Sequence, residues 1–427
     1  MPRLEEIGRW AFASGTPTVS IVTHLLRSTV GSTSTLYQVP LVYRDSIDEG
    51  MTTPAIGVLD GLHVYDAPRD PAYAAALLTF IADGTHLEGE SSEVTATSTA
   101  AIRAEGFAAR VLTGEQSNTS IIYERDGSSP VICKVFRALH NGENPDVMLQ
   151  TALAAHGSDA VPAPVGHLVG TWADPLTVGG RARGHLAFAQ EFLPGVEDGW
   201  RVALAAAAAG RDFSVEARAL GAVTARVHTA LAVSLGHEVV GGSEIAAVQA
   251  SMSQRLADAR DEVPEFAGLV HRVRGLISRT GSAKWPDMQR IHGDLHLGQA
   301  LEVPGRGWVL VDFEGEPLRS MFERNQVDSP LRDVAGMLHS FGYVSGALRL
   351  RGDSHPRADW SSAARAAFIA GYADGSPIDL AEQVDLITAY EIDKALYQSV
   401  YEVRNRPEWL PISVAAVQDL VGRGSSF

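Results

Sequence analysis

At 427 residues the chain exceeds what one ordinary hydrophobic core organises, so two or three subdomains are expected. Its 51 acidic against 35 basic side chains leave a net charge of −16, which argues against nucleic acid or an anionic membrane as main partner. The single Cys133 excludes an intrachain disulfide framework, the opening residues do not read as a leader, and no apolar run reaches bilayer length, so a cytoplasmic enzyme is the expectation.

Residues 1–90 read as an α+β cap, with strand patterns at Leu36–Tyr43 and Gly57–Tyr65 and a helix at Pro71–Ile81. Gly84–Thr99, rich in Glu, Ser, Thr and Gly, reads as the first boundary. Residues 91–193 carry short β-rich runs: Phe107–Leu112, Ser120–Glu124, Val131–Phe136 and Leu186–Phe192. A helix follows Asn144-Pro145-Asp146, with Asn144 as its expected cap and Pro145 at its first position. Residues 194–427 are helical in pattern at Val215–Ala232, Ser243–Ala259, Leu331–Leu350, Ala363–Tyr372 and Leu380–Arg404, and Ala205–Ala209 is good helix former. A small β-rich piece followed by a large helical one predicts a bilobal α+β protein whose cleft takes a nucleotide.

The chemistry concentrates in Gln289–Gln299 and in the apolar run Trp308–Val311 that delivers Asp312-Phe313-Glu314. Transfer of a phosphoryl group to an alcohol needs a carboxylate that orients the hydroxyl and accepts its proton. Asp294 suits that role, and a turn aspartate beside Gly293 is the bland alternative. Gln299 offers a neutral hard oxygen and Asp312 an anionic one, the ligand types Mg²⁺ takes. Glu314 shares the face of Asp312 in an extended segment and is either a further metal ligand or solvated.

Lys134 sits in the apolar strand pattern Val131–Phe136, as a phosphate-pairing lysine or as an edge-strand charge. Upstream, Gly114–Ser120, with Ser117, Asn118, Thr119 and Ser120, is a polar loop whose amides and hydroxyls suit phosphate oxygens. Gln190-Glu191-Phe192-Leu193 ends the last β run, where backbone can meet adenine. On the last long helical pattern Glu391, Lys394, Gln398, Glu402 and Asn405 fall on one face, which is either its wet side or a hydrogen-bonding wall for a sugar. Trp409 is then a platform for a pyranose ring.

These segments, with Leu331–Met337 and Tyr401–Pro411, resemble the actinobacterial maltokinase-like family, which looks like the aminoglycoside-phosphotransferase branch of the eukaryotic-like kinase fold. Tyr37–Tyr43 resembles that family's N-terminal cap. The resemblance implies Asp294 as base, Gln299 and Asp312 as Mg²⁺ ligands and Lys134 on the phosphates of ATP. The expected acceptor site comprises Asp294, His296, Glu316, Glu391, Gln398, Glu402, Asn405 and Trp409. Two departures stand out. Met148 occupies the place where such kinases tend to have the glutamate that pairs with the strand lysine, leaving Glu143 or Asp146 as poor substitutes, and Gln398 stands where maltokinases tend to carry an acid.

A branch that phosphorylates glucosamine looks closer. An ammonium at sugar C2 favours carboxylates, and Asp294, Glu316, Glu391, Glu402 and Glu408 are candidates. The expectation is transfer of the γ-phosphoryl group of ATP to O6 of D-glucosamine, with maltose as the second acceptor. His292-x-Asp294-x-His296 superficially resembles a binuclear metal run, which leaves a metal-dependent phosphoesterase as a remote alternative. Met148 leaves a pseudokinase binding module as another.

Overall fold

The computed structural model describes residues 3–31, 33–47, 54–112, 118–175, 177–352 and 359–423. They form two compact units: Met1–Thr151 with Pro162–Pro194, and Ala152–Val161 with Gly195–Phe427.

The first unit opens with β1 (Arg3–Phe12), β2 (Val19–Val30), β3 (Thr33–Arg44), β4 (Gly57–Leu59) and β5 (Leu62–Asp66), paired antiparallel in the order β1-β2-β3-β5-β4. Period-2 alternation buries Val19, Ile21, Thr23 and Leu25 along one face of β2. The Gly57–Tyr65 segment, expected as one strand, is a hairpin. Asp60 and Gly61 both take positive φ, 51° and 85°, as the tightest hairpin turns require, and the Asp-Gly pair was the signal for it. Helix α1 (Pro71–Asp83) begins where Asp70 accepts the amide of Ala72 at 2.8 Å and ends at Gly84 in the left-handed region.

The expected boundary at Gly84–Thr99 is instead β6 (His86–Glu88) and β7 (Ser92–Ser98). Ser92, Val94 and Ala96 alternate inward, so a polar composition still builds a strand with one buried face. The strands β8 (Ala108–Val111), β9 (Asn118–Glu124), β10 (Val131–Phe136) and β11 (Ala138–Leu139) follow, then α2 (Pro145–Ala155), β12 (Pro164–Ala173) and β13 (Arg181–Glu191). The larger sheet runs β6-β7-β12-β13-β10-β9-β8, while β11 pairs with β3 of the smaller one. Gln38, on β3, donates its carboxamide to the carbonyls of Phe136 (2.9 Å) and Leu186 (3.0 Å), and so ties the sheets together. Trp10, Tyr65, Leu77, Ile121, Cys133, Trp172 and Phe188 belong to one continuous core.

In the second unit β14 (Glu197–Asp198) leads into α3 (Gly199–Ala208), α4 (Ser214–Leu235), β15 (His237–Glu238), α5 (Gly242–Glu262), α6 (Val270–Arg279) and β16 (Met288–Gln289). The chain continues through β17 (Ala300–Val303), β18 (Gly307–Leu310), α7 (Met321–Arg324), α8 (Leu331–Leu350), α9 (Trp360–Gly375), α10 (Val384–Asn405) and α11 (Leu410–Arg423). Helices α4 and α9 touch backbone to backbone at Gly221 and Gly371, where a Cβ would lie 2.1 Å from the Phe368 carbonyl and 2.0 Å from the Arg218 carbonyl. This close approach brings Tyr372 onto His228. The architecture is α+β and bilobal, with an N-terminal cap, a β-rich N-lobe and a helical C-lobe. Among the described residues no helix is long and apolar enough to cross a membrane.

Candidate active site

The loop after β16 is held from behind by Asp333 on α8. Its two carboxylate oxygens accept the backbone amides of His292 and Gly293, each at 2.9 Å, and Oδ2 also meets Nε2 of His228 at 3.0 Å. Burial opposes ionisation of Asp333, but the His228 contact and the backbone donors hold its carboxyl below the ordinary aspartate range. Sequence reasoning gave Asp333 no role. The available signal was a lone acid in an apolar helix, which must be paired once buried. His292 uses Nε2 on the Val311 carbonyl (3.0 Å) and Nδ1 on the Asp294 amide (3.3 Å), while His296 accepts the Gly298 amide at 3.0 Å. With those nitrogens spent on backbone, His292-x-Asp294-x-His296 is a folded turn, and nothing favours the phosphoesterase reading.

Asp294 receives a 2.5 Å hydrogen bond from the Lys394 ammonium, which also reaches Glu316 at 3.2 Å. Burial alone would lower the Lys394 pKa, but Asp294 and Glu316 overcome it and raise it, so the ammonium stays charged. Glu316, expected on the sugar, is 1% exposed, and its other oxygen meets Arg332 (2.8 Å), Arg255 (3.2 Å) and Arg319 (3.5 Å). Burial disfavours its charge, yet Arg332, Lys394, Arg255 and Arg319 keep it well below the usual carboxylate range. Both oxygens are committed to cations, so Glu316 organises Lys394 instead of facing open space.

The Gln299 side chain donates to Asp312 Oδ2 at 3.0 Å, so these two expected metal ligands do converge. Asp312 holds φ at 66°, a left-handed conformation that aspartate tolerates better than most residues. Carboxylate oxygens of Asp312 and Glu314 come within 4.8 Å of each other. An amide and two carboxylates are the hard donors that a divalent cation of the Mg²⁺ type accepts. Nearby, burial lowers the His296 pKa against the opposing pull of Asp294 and Asp312, which keeps that imidazole neutral.

A cavity of about 410 Å³ in the helical unit has Trp200, Asp294, His296, Tyr343, Gln398 and Trp409 in its wall. Tyr343 and Trp409 stack at 5.8 Å and 16°, and Trp200 closes the box at 6.0 Å and 6.4 Å from them. Neither Trp200 nor Tyr343 was anticipated, since nothing local marks them. The polar stripe of α10 divides. Lys394 and Gln398 face the cavity. Glu402 is fully buried and accepts from Tyr343 (2.5 Å), Gln398 (2.5 Å) and Arg406 (2.7 Å), so it braces the wall from within. Glu391 is spent on Arg365 at 2.5 and 2.9 Å. Asn405 donates to the Tyr401 carbonyl at 2.9 Å on the exposed side, and Glu408 is exposed too. The expectation of Glu391 and Glu402 as direct sugar contacts is therefore corrected: α10 packs against α5, α8 and α11, and a polar stripe under such cover must pair internally. Asn405, also expected on the sugar, lies on the exposed last turn of α10 and outside the cavity wall.

In the first unit Lys134 finds its partner in Asp146, at 2.9 Å. Asp146 is fully buried, receives Gln150 at 2.6 Å, and donates its own amide to the capping Asn144 side chain at 2.9 Å. The reading of Asp146 as a poor substitute is corrected. Pro145 starts the helix so that a first-turn acid serves, and Met148 is no reason to infer a pseudokinase. Ser120 is fully buried opposite Lys134 in the ladder, and Thr119 accepts Arg137 at 2.9 Å, so neither hydroxyl stands in an open phosphate loop. Asn118 begins β9, and Ser117 lies outside the described residues. Gln190 is buried in β13, Glu191 accepts the Ala163 amide at 3.2 Å, and Leu193 is half-buried in the turn beyond.

Residues 1–70 match the maltokinase N-terminal cap domain. The glucosamine kinase of Streptacidiphilus jiangxiensis is 29% identical over 369 residues, covering 79% of this chain and 81% of that protein. The glucosamine kinase of Mycolicibacterium smegmatis is 28% identical over 347 residues, covering 74% and 80%. A solved glucosamine kinase in complex with glucosamine, ADP and inorganic phosphate aligns at TM-score 0.70 and 22% identity over 98% of this chain and 94% of that one, a likeness of fold. The chain is thus similar to glucosamine kinases over about three quarters of its length, shares the fold of a solved one over nearly all of it, and opens with a segment that matches a maltokinase-type cap.

Proposed function

We propose that the chain transfers the γ-phosphoryl group of ATP to O6 of D-glucosamine. The observation that carries this reading is the cavity in which the Asp294 carboxylate shares a wall with an aromatic box and the Gln398 amide. A pyranose offers an apolar face for stacking and a rim of hydroxyls for the polar groups. Asp198 and Asp294 are the carboxylates of that wall, and they suit an ammonium-bearing sugar.

In this mechanism Asp294 orients the O6 hydroxyl and takes its proton as the O6–Pγ bond forms and the bond from Pγ to the bridging oxygen of ADP breaks. Lys394 fixes the rotamer of Asp294. Gln299, Asp312 and Glu314 would hold Mg²⁺, which when bound neutralises phosphate charge. Lys134, positioned by Asp146, meets the phosphates of ATP.

Maltose is the second reading, favoured by the maltokinase-type cap. A competition between glucosamine and maltose in MgATP, read by ³¹P and ¹³C NMR, tests the choice. Phosphorus coupling to C6 of glucosamine is the expected product signature. Maltose phosphorylated at C1 as the main product would overturn the assignment.

A further inference from the structure

A second cavity, of about 490 Å³, lies elsewhere in the helical unit and shares no described lining residue with the acceptor cavity. Its apolar side carries Trp285, whose indole N–H is fixed on the Thr280 carbonyl at 2.8 Å and whose ring meets Tyr390 edge-on at 6.3 Å. Its polar side includes Gln383, 4% exposed, whose Oε1 has no hydrogen-bond partner among the described residues. A buried acceptor left this way is destabilising, so a bound donor would be stabilising. Around the rim His237 meets Asp287 at 2.8 Å, Lys284 pairs with Glu382 at 3.1 Å, and Asp379 caps the turn at Ala381, so carboxylates are at least as numerous there as cations. The wall therefore does not favour an anion. It suits an uncharged or cationic ring with one apolar face and several hydrogen-bonding groups, which is the chemistry of a hexose or hexosamine.

Three of its lining residues hold the catalytic loop. Tyr372 meets His228 Nδ1 at 2.9 Å, Gln289 donates to the His228 carbonyl at 2.7 Å, and His228 contacts Asp333, the acceptor for the His292 and Gly293 amides. We propose that this cavity is a second sugar site, separate from the acceptor site, whose occupancy tightens the loop carrying Asp294 through Tyr372, His228 and Asp333.

Isothermal titration of the full chain with D-glucosamine tests the site. Two sites per chain are expected. Ala232→Trp, which fills the cavity, and Gln383→Leu, which removes its buried acceptor, should each lose one site, and Trp409→Ala should weaken the other about tenfold. If glucosamine is not the acceptor, a single site remains in the wild type, is indifferent to Trp409→Ala and still vanishes in Ala232→Trp, so the failure of the kinase reading is separable. A wild-type site count that both cavity variants leave unchanged overturns the proposal. Hydrogen exchange in Trp409→Ala tests the coupling: glucosamine should slow the His292 and Gly293 amides, and unchanged rates overturn that part.

Discussion

Lys394 reaches across from α10 to donate a 2.5 Å hydrogen bond to Asp294, tying the proposed base to the helix that also supplies part of the wall of the aromatic-lined cavity. The Asp294 carboxylate is thereby held in one rotamer before any substrate arrives. Asp294→Asn preserves shape but removes the proton acceptor. We expect kcat to fall by about 10²–10⁴-fold with nucleotide affinity retained. Steady-state kinetics beside a fluorescent-nucleotide titration check this, and wild-type turnover would remove Asp294 from the role of base.

Glu316 stands behind that pair as the acceptor for four cations. Neutralising it leaves buried positive charge uncompensated, so Glu316→Gln should cost about 3–5 kcal/mol of stability in urea denaturation. Because its folded pKa lies below the free value of 4.5, its contribution is complete above that pH and is lost as acidification passes through the folded value. The variant should therefore show a flatter acid limb. A loss confined to acceptor KM, with stability intact, would return Glu316 to the sugar.

The same logic separates Asp146 from Glu143. Asp146→Ala strands the Lys134 ammonium, 13% exposed, and should lower stability by about 3–5 kcal/mol while raising KM for ATP. Glu143→Ala should leave both near wild type. Comparable effects from the two substitutions would show that the lysine draws on either acid.

His339 lies in the acceptor cavity wall with burial, Lys394 and Arg365 pushing its pKa down to about 3. The unfolded imidazole binds a proton below about pH 6.5, whereas the folded one stays neutral down to about pH 3, so stability should rise with pH through the window from about 3 to 6.5. His339→Gln removes that titration, and its stability profile should be flatter there. An unchanged slope would mean that the folded His339 titrates normally.

Trp200, Tyr343 and Trp409 act as one aromatic box. Removing Trp409 forfeits a stacking face worth roughly 1 kcal/mol or more, so Trp409→Ala should raise acceptor KM by about tenfold with little change in KM for ATP. Trp200→Ala should act in the same direction. Equal shifts for both substrates would take the box out of the acceptor site.

Local spacing was enough to bring out the candidate groups in chain order. A carboxylate, an amide five residues on and a second carboxylate at a strand end were legible because loops and short apolar strands are written in neighbouring residues, and Gln299 and Asp312 do meet. Asn144 as cap, the strand Val131–Phe136 and the helix Leu331–Leu350 were legible for the same reason. Tertiary structure decided what each buried charge pairs with. Asp146 rather than a residue at position 148 meets Lys134, Glu316 turns to arginines, Glu402 braces Tyr343, and Trp200 joins a box with residues far along the chain. A buried charge takes whichever partner packing brings within reach, and burial forces the choice, because an unpaired ion in a protein interior costs several kcal/mol. Such partners lie up to about a hundred residues apart or more, beyond any local pattern.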